Sequence, residues 1–284
     1  MGRLISKNRI TKTVGMAFML VALFSSCKKK EDSVEPTPVE VPTPDAKSIS
    51  YVLNTKEQLG VTGIVTFAEK SSGSSESIVT IRLIGATMGT HPAHIHVNSA
   101  IESGNIAYPL NSVDSTGTST TTLSVSYATL VNYDGYVNVH ASVLDLVTII
   151  AQGDIGGNEL TGDSKSYALA QDMTSGISGS ALFQKRKNGN TLVTIDLTSG
   201  GILPTGTYPA HINLGSISTI GVPYNKKTLN TINSDTRKSM TNIRKLDDGT
   251  AITYANWLVY DGFITILDAT DNSKIIAKGN IGAN

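Results

Sequence analysis

The chain has 284 residues, of which 39% are hydrophobic, 16% charged and 6% aromatic, with 23 basic side chains against 23 acidic ones. That balance leaves no excess of cations to neutralise a phosphate backbone, so nucleic acid is not an expected partner. The hydrophobic content is too high for a disordered chain, and the single cysteine excludes an intrachain disulfide or a cysteine-based zinc cluster.

In chain order, residues 1–26 read as a signal peptide. Arg3, Lys7, Arg9 and Lys12 form a positive start, and the apolar run Val14–Phe24 is 11 residues long, too short to span a bilayer. Without these four cations the remainder holds 19 basic and 23 acidic residues, a net charge of −4. Phe24-Ser25-Ser26-Cys27 follows and resembles a bacterial lipobox, which implies lipidation of Cys27 and a membrane partner through that anchor. Lys28-Lys29-Lys30-Glu31-Asp32 resembles a surface-export signal of some Gram-negative lipoproteins, so the expected location is the outer membrane, with display at the cell surface. Pro36, Pro38, Pro42 and Pro44 make residues 27–47 a semi-extended tether.

The rest of the chain is one pattern written twice. Thr90-His91-Pro92-Ala93-His94-Ile95-His96 is echoed by Thr207-Tyr208-Pro209-Ala210-His211-Ile212-Asn213, and Tyr133-Asp134-Gly135-Tyr136 by Tyr260-Asp261-Gly262-Phe263. Val61–Phe67 similarly matches Ile177–Phe183, and Ile149-Ile150-Ala151-Gln152-Gly153 matches Ile275-Ile276-Ala277-Lys278-Gly279. Val-, Ile- and Thr-rich runs at Ile49–Leu53, Val61–Ala68, Ile78–Ile84, Ala93–Val97, Leu123–Ser126, Tyr136–His140 and Val147–Gln152 read as strands between turn residues. About seven strands per copy without helical periodicity predict an all-β chain of two tandem immunoglobulin-like, Greek-key antiparallel β-sandwiches. They are expected over 48–160 and 165–284, with a boundary near Leu160–Lys165.

Four of the five histidines, His91, His94, His96 and His140, lie in the first copy. Strand parity puts His94 and His96 on one face and Ala93, Ile95 and Val97 on the other; it likewise separates Tyr136, Asn138 and His140 from Val137 and Val139. With the aliphatic sets facing the core, three imidazoles stand on outward faces of two strands. Such a set suits one copper or zinc ion, although imidazoles bonded to the backbone or to neighbouring Tyr and Asn would explain the same pattern. In the second copy His94 corresponds to His211, but His96 corresponds to Asn213 and His140 to Leu267, so the fold does not need all three. His91, replaced by Tyr208, is expected at the surface, with an accessory ligand role as the alternative. Asp134 reads as a turn residue or a weaker ligand candidate. Trp257, which replaces Leu130, is expected to pack on its sandwich or else to stack on a carbohydrate.

The Ala-His-Ile-His block and Tyr136-Val137-Asn138-Val139-His140 resemble the CHRD domain family. That resemblance covers most of 48–160 and, more weakly, 165–284, and implies an immunoglobulin-like sandwich in an extracellular protein that binds or adheres to a protein or glycan ligand. Val61–Phe67 followed by His94-Ile95-His96 also resembles the opening of copper-zinc superoxide dismutases, which implies His94, His96 and His140 as copper ligands. No histidine lies between His96 and His140, so no bridging imidazole is available and only a mononuclear site is expected. No phosphate loop, metalloprotease motif or nucleophile elbow is present, and no residue is assigned a catalytic role. The expected function is extracellular binding or adhesion by a surface-anchored lipoprotein, with copper or zinc binding at the three histidines as the alternative.

Overall fold

Alternation of buried and exposed side chains organises both copies. In the first, Val65, Phe67, Val79, Ile81, Ala93, Ile95, Val137 and Val139 are each 1% exposed or less and meet in a single core. Each Val, Ile or Phe among them contributes about 1.5–3 kcal/mol relative to exposure, so register is strongly specified wherever these faces meet. The computed structural model describes residues 46–284 apart from 59, 87, 173–174, 201 and 219–223. The readings made on the signal segment, Cys27 and nearly all of the tether lie outside the described residues.

The first lobe contains β1 (Ser48–Thr55), β2 (Thr62–Glu69), β3 (Ser77–Ile84), β4 (His91–Val97), β5 (Ile106–Val113), β6 (Thr118–Leu123), the one-turn helix α1 (Tyr127–Leu130), β7 (Asp134–Ser142) and β8 (Asp145–Gly156). Its strand order is β5-β4-β7-β8-β1-β2-β3-β6, with all pairings antiparallel. β1 joins two layers: Ser48–Leu53 pair with β2, while Asn54 and Thr55 pair with β8. The connections β3 to β4, β5 to β6 and β6 to β7 cross between the layers, which gives the Greek-key character. At the open side, the Asn111 backbone N–H donates to Thr121 Oγ1 at 2.8 Å and its side chain donates to the Thr120 carbonyl at 2.6 Å, drawing β5 towards β6. Where β8 passes β1, Gly153 is required, because a Cβ there would strike the Val52 carbonyl oxygen; Gly279 meets Ala168 in the same way.

The second lobe repeats this plan with β9 (Leu160–Gln171), β10 (Ile177–Arg186), β11 (Thr191–Gly200), β12 (Thr207–Leu214), β13 (Tyr224–Asn233), β14 (Lys238–Ile243), α2 (Tyr254–Trp257), β15 (Asp261–Leu267) and β16 (Ile275–Gly282). Its order, β13-β12-β15-β16-β9-β10-β11-β14, is the first lobe's order carried forward. The chain is thus an all-β pair of antiparallel sandwiches, each with eight strands rather than seven.

The extra strand, β5, carries Pro109 in its middle and escapes the strand pattern; it lies at the sheet edge, where a missing N–H is tolerated. The strand expected at Leu123–Ser126 lies earlier, at Thr118–Leu123, because Ser126 caps α1 by accepting the Thr129 N–H. The boundary expected near Leu160–Lys165 falls just before this stretch. These residues begin β9, and the sheets are joined at the tight turn Gly157-Asn158-Glu159.

Candidate metal centre

β4 lies between β5 and β7, in the register His94 to Asn138, Ile95 to Val137 and His96 to Tyr136. With Ala93, Ile95, Val137 and Val139 in the core, His94, His96, Tyr136, Asn138 and His140 share the opposite face, as parity requires. A register shift in the β7–β8 pairing falls between Val139 and His140, next to the site, as bulges often do.

That outward face is not open to solvent, which corrects the simplest reading of the parity. His96 and His140 are each 8% exposed, and Tyr136 and Asn138 are also buried. Residues 98–105, between β4 and β5, turn back through positive-φ positions at Asn98 and Ser103, and the Val97 N–H donates to the Asn105 carbonyl at 3.1 Å. The Gly104 carbonyl on this segment accepts the His96 Nδ1 proton at 2.9 Å. A carbonyl only accepts, so Nδ1 carries the hydrogen, and in the neutral ring Nε2 presents its lone pair. That Nε2 is buried and meets no hydrogen-bond partner. Tyr136 stacks on the His96 ring, with centroids 4.9 Å apart and planes at 17°.

His94 Nδ1 lies 3.2 Å from His140 Nε2, and the His94 ring stands edge-on to both His96 and His140. One nitrogen from each of His94, His96 and His140 lies within 4.8 Å of the other two. His140 Nδ1 is buried without a well-formed hydrogen bond, although the nearby Leu146 carbonyl favours a proton on that ring. Burial is the main cause that lowers the His94 pKa, assisted by His140 and His96. Burial also lowers that of His140, against the opposing influence of Leu146 and of the Asp145 carboxylate. The pair is therefore held neutral, the form in which imidazole ligates a metal.

Other expected candidates fall elsewhere. His91 is not a surface residue: it is 1% exposed, its Nδ1 lies 3.2 Å from the His140 carbonyl, and it stays outside the three-histidine group. Asp134 accepts a hydrogen bond from Asn188 of the second lobe at 2.9 Å and is not part of the group either. Trp257 is fully buried, with its ring 5.8 Å from Phe183, so it is not available to stack on a carbohydrate.

In the second lobe the corresponding face carries His211, Asn213, Phe263, Thr265 and Leu267, in the same register. Asn213 Nδ2 donates to Thr265 Oγ1 at 3.0 Å, and His211 Nδ1 is buried with no partner. Gly104 and Tyr136, which orient His96, were not singled out from sequence; the change of Tyr136 to Phe263 alongside that of His96 to Asn213 was the available signal.

No family model matches the chain, and no curated protein or solved structure is significantly similar to it.

Proposed function

We propose that the protein binds one copper ion through His94 Nδ1, His96 Nε2 and His140 Nε2. The observation that carries this reading is the convergence of three imidazole nitrogens within 4.8 Å, with the His96 tautomer already set by Gly104. Metal–nitrogen bonds of about 2.0–2.1 Å place tetrahedral ligands roughly 3.3 Å apart, close to the 3.2 Å between His94 and His140. The group contains no anionic ligand, and His96 and His140 are buried. Burial penalises a divalent ion more than a monovalent one, so Cu⁺ is the favoured state, with Zn²⁺ as the competitor for the same imidazoles. The sequence features of residues 1–47 support an exported protein held to a membrane at Cys27, which would put this ion outside the cytoplasm.

The test is a titration of the purified protein, without a histidine tag, by Cu⁺ under reductant and by Cu²⁺ and Zn²⁺, with calorimetry and elemental analysis. One equivalent is expected, bound most tightly as copper and lost in His96→Ala and His140→Ala. Wild-type binding no tighter than that of these variants would overturn the reading.

A further inference from the structure

The metal-ligand face of the first lobe is braced by the second. Asp154 on β8 accepts the Ala100 N–H through Oδ1 at 2.8 Å and Arg186 Nη1 of the second lobe through Oδ2 at 2.7 Å. Arg186 is fully buried, and its Nη1 also donates to the Asn158 carbonyl. Glu102 Oε2 accepts the Ser99 N–H at 3.2 Å, the Ser99 hydroxyl at 2.8 Å and Asn242 Nδ2 of the second lobe at 2.8 Å. Asn158 Nδ2 donates to the Asn98 carbonyl at 2.7 Å, while its Oδ1 accepts Asn188 Nδ2 at 3.0 Å. Residues 98, 99, 100 and 102 are thus each bonded to a group that the second lobe itself holds. That segment also carries Gly104, whose carbonyl orients His96.

The second lobe shows what the brace adds. Its equivalent of Asp154 is Asn280, paired with Phe263 as Asp154 is with Tyr136, and Asn280 Oδ1 accepts the Ile217 N–H at 2.8 Å. The local amide-to-side-chain lock therefore works with a neutral carboxamide. The carboxylate at 154 is an addition to that lock, and its second oxygen takes the arginine.

We propose that Arg186 and Asn242 are positioning residues for the metal site, so that the second lobe, which lacks the ligand set, tunes metal affinity in the first. This rests on the metal-binding reading above. Groups that orient a metal-binding histidine through its other nitrogen commonly alter affinity about 10–100-fold when lost.

The test compares wild type with Arg186→Met/Asn242→Ala and with Asn230→Ala, whose side chain donates only within the second lobe, to the Met240 carbonyl. Two readouts are taken. In metal-free protein, imidazole ¹⁵N shifts report the His96 tautomer, and hydrogen exchange reports the Ala100 amide. In Cu⁺ titrations against a competing chelator, the dissociation constant is read. Circular dichroism verifies that all three proteins are folded. Expected for the double variant are a mixed His96 tautomer, faster exchange at Ala100 and about tenfold weaker copper binding, with Asn230→Ala unchanged. An unaltered tautomer and exchange rate in the folded double variant would overturn the proposal whether or not metal binds. Unchanged affinity in the double variant would overturn it while leaving the metal reading intact. Absence of copper binding by wild type would remove the metal reading and with it the tuning claimed here.

Discussion

Replacing His140 by leucine, the residue its counterpart Leu267 already is, separates a ligand from a structural histidine by the sign of one number. In the metal-free protein His140 Nδ1 is buried near the Leu146 carbonyl but without a well-formed hydrogen bond, an arrangement that costs up to about 1–3 kcal/mol. The substitution removes that group and sacrifices the contact to His94, worth about 0.5–1.5 kcal/mol net. His94, left behind, is only half-buried, so losing this partner costs it less than it would a fully buried group. The expected balance is a gain of about 1 kcal/mol, a rise in Tm of roughly 2–4 °C for a folded unit of this size. Urea denaturation at pH 7.5 with a chelator present measures it. Adding copper at about 100 times Kd should then stabilise wild type by about 2.7 kcal/mol and the variant not at all, inverting their order. A metal-free variant destabilised by about 1 kcal/mol or more would refute the reasoning, since His140 would then be contributing to the fold.

Stability should also fall in mild acid. Burial lowers the pKa of His94, His140 and His211, so below about pH 6.5 the unfolded chain takes up protons that the folded one does not. Stability is complete above that pH and is lost as pH falls towards the lower folded values; urea midpoints flat from pH 7 to 5, or an equal slope in His140→Leu, would contradict this. Cys27→Ser should release the protein from the membrane fraction into the soluble one, and retention of the variant with the membranes would remove the lipid-anchor reading.

Much of the site was legible because period-two alternation is a local property. Ala93 and Ile95 could be assigned to the core from their own neighbours, which put His94 and His96 on the other face. The comparison of His96 with Asn213 and of His140 with Leu267 likewise needed only the repeat. Whether that other face is wet is not local. It depends on residues 98–105 folding back, on Tyr136 lying flat on His96 and on bonds from Arg186 and Asn242, residues 90 and 146 positions beyond His96 in the sequence. His91 was misjudged for the same reason, since its burial comes from tertiary contacts that its position before Pro92 does not disclose. Pro109 hid β5 because proline weakens a strand signal everywhere except at an edge, and edges are known only once the order of strands is known.

The double allegiance of β1 bears on how the protein comes into being. In the first lobe Asn54 pairs with Gln152, 98 residues away, and in the second Gln171 pairs with Ala277, 106 residues away. The opening strand of each lobe must therefore wait for the closing one before its two layers are joined. Closure across so long a stretch is slow relative to local hairpin formation, and unpaired strand edges stay exposed meanwhile. During synthesis, neither lobe can seal until nearly all of its own chain has emerged, so each passes through a stage in which it could pair with the wrong neighbour.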